Sequence, residues 1–303
     1  MKNDVLVAGE INPDLILSGE IKIEFGQKEN LIENATLTVG SSSVIFAAGL
    51  VKLGLKVSFV GLCGDDPFGL YMISQMEKIG IDTSNIIIRK GGETGFSIIF
   101  TKGADRGILT FMGLIPALTA EMVTDNILEQ AKHLHIASYF LQTELQKDLP
   151  SLFTRAKSFG LSTSLDTNWD PSFKWQGLDQ ILKKTDVFLP NKNEALAITG
   201  KNKISEAIND LSLQSKIVAV KMGEQGAMGK SGAKIAQAAA LQCDVVDTIG
   251  AGDNFNAGFI FGYLNNWGLE KSLKLGIACG SLSTTAAGGF KAQPKYDEAI
   301  SYV

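Results

Sequence analysis

A run of small residues that ends in an acid is the stretch of this sequence best suited to chemistry: Asp247-Thr248-Ile249-Gly250-Ala251-Gly252-Asp253. Small residues let backbone N–H groups approach a charged ligand, and the helical pattern that follows adds unpaired N–H donors and the positive end of a helix dipole. Gly250, Ala251 and Gly252 could therefore hold an anion, with Asp253 beside it as a base. The alternative is a strand-to-helix turn in which Asp253 is only a helix cap.

Polar residues also follow several of the predicted buried strands. Asn12 and Asp14 come after the apolar run Val5–Ala8, and Asp166 and Asn168 come after the run that ends at Leu165. Ligands of open parallel α/β sheets bind at these carboxyl ends, where carboxylate and amide groups can hydrogen-bond a polyol or a phosphate. The alternative for the first pair is an Asx turn around Pro13.

Two further segments could bind a ligand or merely cap a helix. Gly40 and Ser41 precede a helical pattern, where serine can cap the helix or offer its hydroxyl to a ligand. Asn191 and Glu194 lie three residues apart at the start of another predicted helix. Their oxygens suit a hydrated Mg²⁺, and the same pair fits a capping box; the two interpretations are compatible.

Three patterns resemble known motifs but fail the tests of context. Gly229-Lys230-Ser231 ends like a P-loop, yet Glu224 stands where the earlier glycine is required and no helix pattern follows, so we predict a hairpin turn. The run from Gly250 is no dinucleotide fingerprint, because Phe255 stands where its last glycine belongs. His133 and His135 share one side of a strand without a third metal ligand, which favours sheet-surface histidines over a metal site.

The elements that position these residues alternate between strand and helix. This alternation predicts an α/β fold with a parallel sheet, from Val5–Ala8 through Val187 to Leu189 and Ile217 to Lys221. Short alternating segments interrupt it and predict a separate small β-sheet that covers a cleft or pairs with a second subunit. These segments are Ile21–Phe25, Ala35–Val39, Ile86–Arg89, Phe96–Phe100 and Gly107–Phe111.

The composition is that of an ordinary soluble globular protein. Over 303 residues, 45% are hydrophobic and 20% charged, with a formal net charge of -4. The composition and charge do not suggest a nucleic-acid partner. There is no signal-peptide pattern and no apolar run of about 18 residues, so we expect no membrane partner either. Cys63, Cys243 and Cys279 form no metal or redox spacing, which indicates a reducing, cytoplasmic location. Only three of the 28 basic residues are arginines, which argues against a phosphorylated substrate.

A glycine-rich anion turn with an acid at a helix start, surrounded by polar strand ends, is the layout of a phosphoryl-transfer site. The run Asp247 to Phe255 resembles the carboxyl-terminal signature of the ribokinase-like (PfkB) family of carbohydrate kinases. The family's other motifs follow in its order, so the resemblance covers essentially the whole chain: Asn12-x-Asp14, the Gly40 region, Asn191-x-x-Glu194 and Lys221-Met222-Gly223-x-x-Gly226.

The resemblance implies one domain of residues 1–303, a three-layer, mostly parallel sheet flanked by helices. A β-sheet lid would come from inserted segments at about 15–38 and 86–112 and would join two copies into a homodimer. The implied reaction is ATP-dependent phosphorylation of a hydroxymethyl group of a small sugar, sugar acid or nucleoside, with Mg²⁺ and a role for K⁺.

The implied roles fall on particular residues. Asp253 would be the general base, and Gly250, Ala251 and Gly252 the anion hole. The residues that would bind the acceptor are Asn12, Asp14, Gly40, Ser41, Asp166 and Asn168. Those that would bind the nucleotide and its phosphates are Asn191, Lys221, Gly223 and Gly226. Glu194 would hold Mg²⁺ through water, and Asp247 would hold a monovalent cation.

Departures from the family pattern motivate a second hypothesis. The segment Val39 to Ile45 has one glycine where the motif usually has two, and Ile45 stands at the position of its asparagine. Ile249 replaces the usual Thr or Val, and the segment from Gly288 to Lys291 differs from the usual cation loop. The alternative is therefore a catalytically inactive member that binds a sugar and reports it to a partner. The intact Asp253 weighs against it.

Overall fold

A large β-sheet runs through the centre of the protein. The computed structural model describes residues 2–19, 21, 25–102 and 105–303. Within these ranges the sheet has nine strands: β1 (Val5–Ala8), β4 (Val57–Gly64), β5 (Asp82–Arg89), β8 (His133–Ile136), β9 (Ser162–Leu165), β10 (Val187–Phe188), β11 (Ile217–Lys221), β12 (Ala227–Ser231) and β13 (Lys234–Ala238). Their order is β13-β12-β11-β10-β9-β8-β1-β4-β5, and neighbouring strands pair in parallel except that β12 runs antiparallel to both β11 and β13.

Helices cover both faces of this sheet, which explains the continuous apolar pattern of its central strands. Val5 and Val7 of β1 lie in one core, and Leu6 and Ala8 lie in the other. The first core packs under α1 (Ser42–Lys52), α2 (Pro67–Ile79), α8 (Ala251–Leu264), α9 (Leu269–Ser283) and α10 (Tyr296–Ile300). The second packs under α3 (Asp125–Leu128), α4 (Thr143–Ser158), α5 (Leu178–Leu182), α6 (Lys192–Thr199) and α7 (Ile204–Leu211).

A second sheet of four strands in the described chain forms the lid sheet: β2 (Pro13–Ser18), β3 (Asn34–Val39), β6 (Phe96–Lys102) and β7 (Asp105–Phe111), in the order β3-β2-β6-β7. Its underside is anchored by a small cluster in which Ile16 and Ile99 meet Ile249, just before the glycine turn. The same turn that was predicted to hold an anion therefore also supports the lid sheet.

One predicted lid segment belongs elsewhere. Ile86–Arg89 was expected in the small sheet, but it lies in β5 and pairs in parallel with β4 at the edge of the main sheet. The prediction was wrong because an alternating edge strand has the same pattern in either sheet. The strand predicted at Ile21–Phe25 lies mostly outside the described residues.

The segment Gly229-Lys230-Ser231 was predicted as a hairpin turn but lies in strand β12. It is part of an antiparallel hairpin with β13, whose turn follows at Gly232 with φ 57. Helix α2 has Asp66 as its N-cap, and its C-cap Gly80 has a left-handed backbone with φ 98. Among the helices of the described residues, none is both long and apolar enough to cross a membrane.

Candidate active site

A cleft of about 920 Å³ lies between the carboxyl ends of the parallel strands and the lid sheet. Asn12 reaches it from the segment after β1, Asp14 from the start of the lid strand β2, and Asp166 and Asn168 from the end of β9. Asp253 and the glycine turn close it from the side of α8. The structure thus brings residues from several distant segments into one site, as the carboxyl-end rule predicts.

The glycine turn is the N-terminus of α8. Gly250 is the N-cap with φ 70, and Asp253 lies in the first turn of the helix. A Cβ at Gly250 would come within 2.7 Å of the Gly289 Cα, so both the left-handed φ and the close backbone approach require glycine. Asn254 holds the two segments together by donating from Nδ2 to the carbonyls of Gly250 (2.9 Å) and Gly289 (2.7 Å).

Asp247 fixes the same turn from behind. Its carboxylate accepts the backbone N–H of Ile249 at 2.9 Å and that of Gly288 at 2.8 Å. The turn is therefore positioned before a ligand arrives, which is the arrangement that electrostatic stabilisation of a developing charge requires.

The pKa of Asp253 is raised well above its ordinary value. Burial of the carboxyl is the largest cause, and the charges of Asp166 and Glu10 add to it, while Lys221 and a hydrogen bond from Ser42 act in the opposite direction. A carboxylate with a raised pKa is a stronger base than an ordinary one, which suits proton abstraction near neutral pH.

A buried network of Lys221, Asp166 and Asn256 lies beside Asp253. Lys221 Nζ is 2.6 Å from Asp166 Oδ2 and 3.2 Å from Asn256 Oδ1, and Asn256 Nδ2 donates to the same carboxylate oxygen at 2.5 Å. Burial lowers the pKa of Lys221, but the charges of Asp166 and Glu194 outweigh it, so the pKa is raised and the amine stays protonated. Lys221 is also the side chain nearest to Gly252 at the start of α8.

Asn191 and Glu194 form the capping box that the sequence allowed. Asn191 Oδ1 accepts from Glu194 N at 2.9 Å, and Glu194 Oε2 accepts from Asn191 N at 2.8 Å. Both residues also line the cleft. Burial and the nearby charge of Asp166 raise the pKa of Glu194 to about 7. A carboxyl destabilised in this way suits a cation, whose arrival would remove the repulsion.

The other end of the cleft carries the groups suited to hydroxyls. Asn12 Nδ2 donates to Asp14 Oδ1 at 3.3 Å, and a Cβ at Gly40 would overlap the Asp14 carboxylate. Ser41 is the N-cap of α1 and accepts from Val44 N at 3.1 Å. Gly40 therefore makes room for Asp14, and Ser41 does fill the capping role.

Four of the residues assigned from the sequence lie outside the cleft lining of the described chain: Gly40, Gly226, Asp247 and Ala251. Gly226 turns the chain after the short 3-10 helix Gly223–Gln225 with φ 82, packed against the backbone of residues 238–240, whereas Gly223 does line the cleft. Gly40, Gly226 and Asp247 act on the segments that shape the site.

Sequence reasoning missed Glu10, a buried acid at the centre of the cleft. Its carboxylate accepts from the hydroxyls of Ser41 (3.1 Å), Ser43 (2.6 Å) and Ser138 (3.0 Å) and from Ser43 N (3.1 Å). These serines are far away in sequence, so only the tertiary fold makes Glu10 conspicuous. Asn256 was missed for the same reason.

His133 and His135 lie inside the protein instead of on a sheet surface. Both are fully buried and share Ser164 Oγ, each at 2.7 Å, and His135 stacks on Phe46 at 3.7 Å. Burial lowers the pKa of His133 to about 3. The expectation of surface histidines was wrong because alternation along a strand shows which residues share a face of the sheet but not whether helices cover that face.

Comparison with known proteins agrees with this fold. A three-layer, mostly parallel sheet with a lid sheet over a glycine turn is the ribokinase-like fold. An E. coli protein described as a ribokinase II, solved in complex with ATP and Mg²⁺, shares this fold at a TM-score of 0.88. The two chains are 23% identical, and the match covers 99% of this chain and 98% of that one. The model of the pfkB family carbohydrate kinases matches residues 2–295. The chain belongs to the pfkB family of carbohydrate kinases.

Two curated relatives span most of the chain. An uncharacterized sugar kinase of Archaeoglobus fulgidus is 30% identical over 75% of this chain and 91% of its own length. A 5-dehydro-2-deoxygluconokinase of Geobacillus thermodenitrificans is 27% identical over 96% of this chain and 93% of its own length. The chain is accordingly an ATP-dependent carbohydrate kinase.

Proposed function

We propose that this kinase phosphorylates a hydroxymethyl group of a small sugar-like acceptor with Asp253 as the general base. The position and pKa of Asp253 carry the proposal: it lies in the first turn after Gly250, and its pKa is raised by burial. Its carboxylate would take the proton of the attacking hydroxyl. Positioned proton transfer of this kind contributes roughly 10²–10⁴-fold to rate.

The anion end of the cleft would bind the transferred phosphoryl group. The N–H groups of Gly250, Ala251 and Gly252 are at a helix start, where anions are favoured, and Lys221 adds a positive charge beside them. Gly223 and the turn at Gly226 would hold the nucleotide.

Mg²⁺ would be held through water by Glu194 and Asn191, whose oxygens it prefers. When bound, the ion neutralises charge on the phosphate oxygens. We further propose that a monovalent cation, for which K⁺ is the candidate, binds beside Asp247, which joins the separate turns at Ile249 and Gly288.

The acceptor would lie against Asn12, Asp14, Ser41 and Asn168, which face the cleft. Gly40 would act by leaving room for the Asp14 carboxylate. Asp166 lines the cleft too, but its ion pair with Lys221 assigns it to orienting that lysine.

We also propose that the protein works in the cytoplasm as a homodimer through its lid sheets. The lid sheet exposes apolar side chains, including Leu109 at 60% and Phe111 at 44%, and within the described residues no further strand pairs with its outer strands β3 and β7. Sheet edges of this kind pair readily with another chain. Sedimentation of the parent and of Leu109→Lys tests this. A charge among the exposed apolar side chains of the lid sheet should leave only monomer.

A coupled ADP-release screen over free sugars, sugar acids and nucleosides tests the function. We expect turnover with the parent and its loss in Asp253→Ala. Asp179→Ala is the matched control, since Asp179 is the first-turn acid of α5 and is exposed. Equal activity of Asp253→Ala and the parent would refute the assignment. Sugar binding without nucleotide binding would instead support the catalytically inactive alternative, which the presence of Ile45 in the cleft favours.

A further inference from the structure

The charge of the cleft is strongly one-sided. Among the described residues that line it, five are acids and one is a base: Glu10, Asp14, Asp166, Glu194 and Asp253 against Lys221. A second anion brought into such a site is repelled unless a cation is available for it. The position of that single cation therefore decides which end of the cleft can accept a negative charge.

Lys221 is committed to the phosphoryl end. Its Nζ is 2.6 Å from Asp166 Oδ2 and 3.2 Å from Asn256 Oδ1, and it lies against Gly252 at the start of α8. In the described lining, the acceptor end is left with carboxylates, hydroxyls and amides.

The groups at the end of the cleft where the substrate hydroxyl would bind are mainly hydrogen-bond acceptors. Asp14 and Glu10 line this part of the cleft, and Asn168 Oδ1 is buried there without a hydrogen-bond partner among the described residues. Acceptors of this kind recognise the O–H groups of a ligand, whereas a carboxylate or phosphate ligand offers no proton to them. A buried unpaired acceptor is also costly until a donor reaches it.

The backbone around these acceptors is held in an uncommon conformation. Ser41, Ser138 and Asn168 all have positive φ, at 65, 50 and 52. Ser41 and Ser138 donate to Glu10, and Asn168 Nδ2 donates to Ser42 Oγ at 2.5 Å. Strained backbone that the surroundings hold in place is typical of sites that position a ligand.

An aromatic side chain forms one apolar wall of this end. Trp169 lines the cleft and is 46% exposed, next to Leu141 and Pro171. Its ring is fixed edge-on against Phe173 (5.5 Å) and Trp175 (5.1 Å). A fixed indole face with hydroxyl-binding groups beside it suits the C–H face of a sugar ring or a nucleobase.

We infer that the acceptor is an uncharged polyhydroxy compound, a neutral sugar, polyol or nucleoside, that packs on Trp169. Substrates that carry a carboxylate or a phosphate are disfavoured. This inference rests on the proposed kinase function and separates this chain from relatives named for a sugar acid, such as the 5-dehydro-2-deoxygluconokinase.

Matched acceptors that differ only in charge test the inference. ADP release at saturating MgATP is measured for aldonic acids against their neutral amides, and for ribose 1-phosphate against methyl riboside. We expect kcat/KM to be at least about tenfold higher for the neutral member of each pair. Glu10→Gln should lower the ratio of kcat/KM for the neutral member to kcat/KM for the charged member, because it removes one charge that repels the anion. Equal or higher kcat/KM for the charged members would overturn the inference while leaving the kinase function intact.

Two variants extend the test. Trp169→Ala should raise the acceptor KM about tenfold without changing the ATP KM, and in Trp169→Phe the acceptor KM should stay close to that of the parent. An unchanged acceptor KM in Trp169→Ala would contradict the role of the indole. Arg106→Ala is run in parallel because the side chain of this lid arginine lies outside the described part. A preference for acids that disappears in Arg106→Ala would also overturn the inference. Loss of turnover with every acceptor, charged or neutral, would count against the proposed function itself.

Discussion

Replacing Lys221 with methionine should destabilise the protein, because it removes the partner of a buried carboxylate. Asp166 is 3% exposed and Lys221 13%, and their charged atoms are 2.6 Å apart. Methionine keeps the apolar stem of the side chain but leaves Asp166, within the described part of the chain, with the amide of Asn256 as its remaining side-chain donor. Removal of one member of a buried ion pair typically costs about 3–5 kcal/mol, because the other charge remains buried.

A double-mutant cycle with Asp166→Asn measures this directly. Urea unfolding of the parent, the two single variants and the double variant should show a coupling free energy of roughly 1.5–3 kcal/mol. The double variant should lose less unfolding free energy than the two single variants lose together. Lys147→Met is the control: its pair with Glu144 is exposed, at 62% and 45%, and should contribute under about 0.5 kcal/mol. Single effects that add to within about 0.5 kcal/mol would refute the assignment of a coupled buried pair.

Three further changes probe the parts of the site separately. Gly40→Ala should raise the acceptor KM roughly 10–100-fold with little change in the ATP KM, because the new Cβ displaces the Asp14 carboxylate; equal effects on both KM values would contradict this. The kcat/KM of the parent should fall with decreasing pH through the raised pKa of Asp253, above the range of an ordinary carboxyl, because only the deprotonated base is active; a profile that is flat down to pH 4 would exclude this. Asp247→Ala should lower the free energy of unfolding by roughly 1.5–3 kcal/mol, measured by urea unfolding, because two backbone N–H groups lose a charged acceptor, whereas Asp247→Asn should cost less.

The parts of this fold that the sequence predicted are those with local signals. The continuous apolar run of β1 requires helices on both faces, and the spacing of Asn191 and Glu194 is that of a capping box, which formed. The glycines before Asp253 predicted the start of α8, and the structure places Gly250 at its N-cap. In each case the physical cause lies within a few residues of its effect.

The parts that were missed depend on contacts between distant segments. β5 joins β4 in the main sheet, and no local pattern separates it from a lid strand. Glu10 looks like any polar residue after a strand until Ser41 and Ser138 fold around it, 31 and 128 residues away. The ion pair of Lys221 with Asp166 spans 55 residues and changes the interpretation of Asp166 from a sugar ligand to a partner of the lysine.

The role of Asp253 in proton transfer is the central claim, and single-turnover phosphoryl transfer in Asp253→Asn tests it most directly. The amide keeps the size and the helix position of the side chain but cannot act as the base. We predict that the transfer rate falls roughly 10²–10⁴-fold, while calorimetric affinities for MgATP and for the acceptor stay within about threefold of the parent. A transfer rate within about tenfold of the parent, with binding intact, would contradict the account.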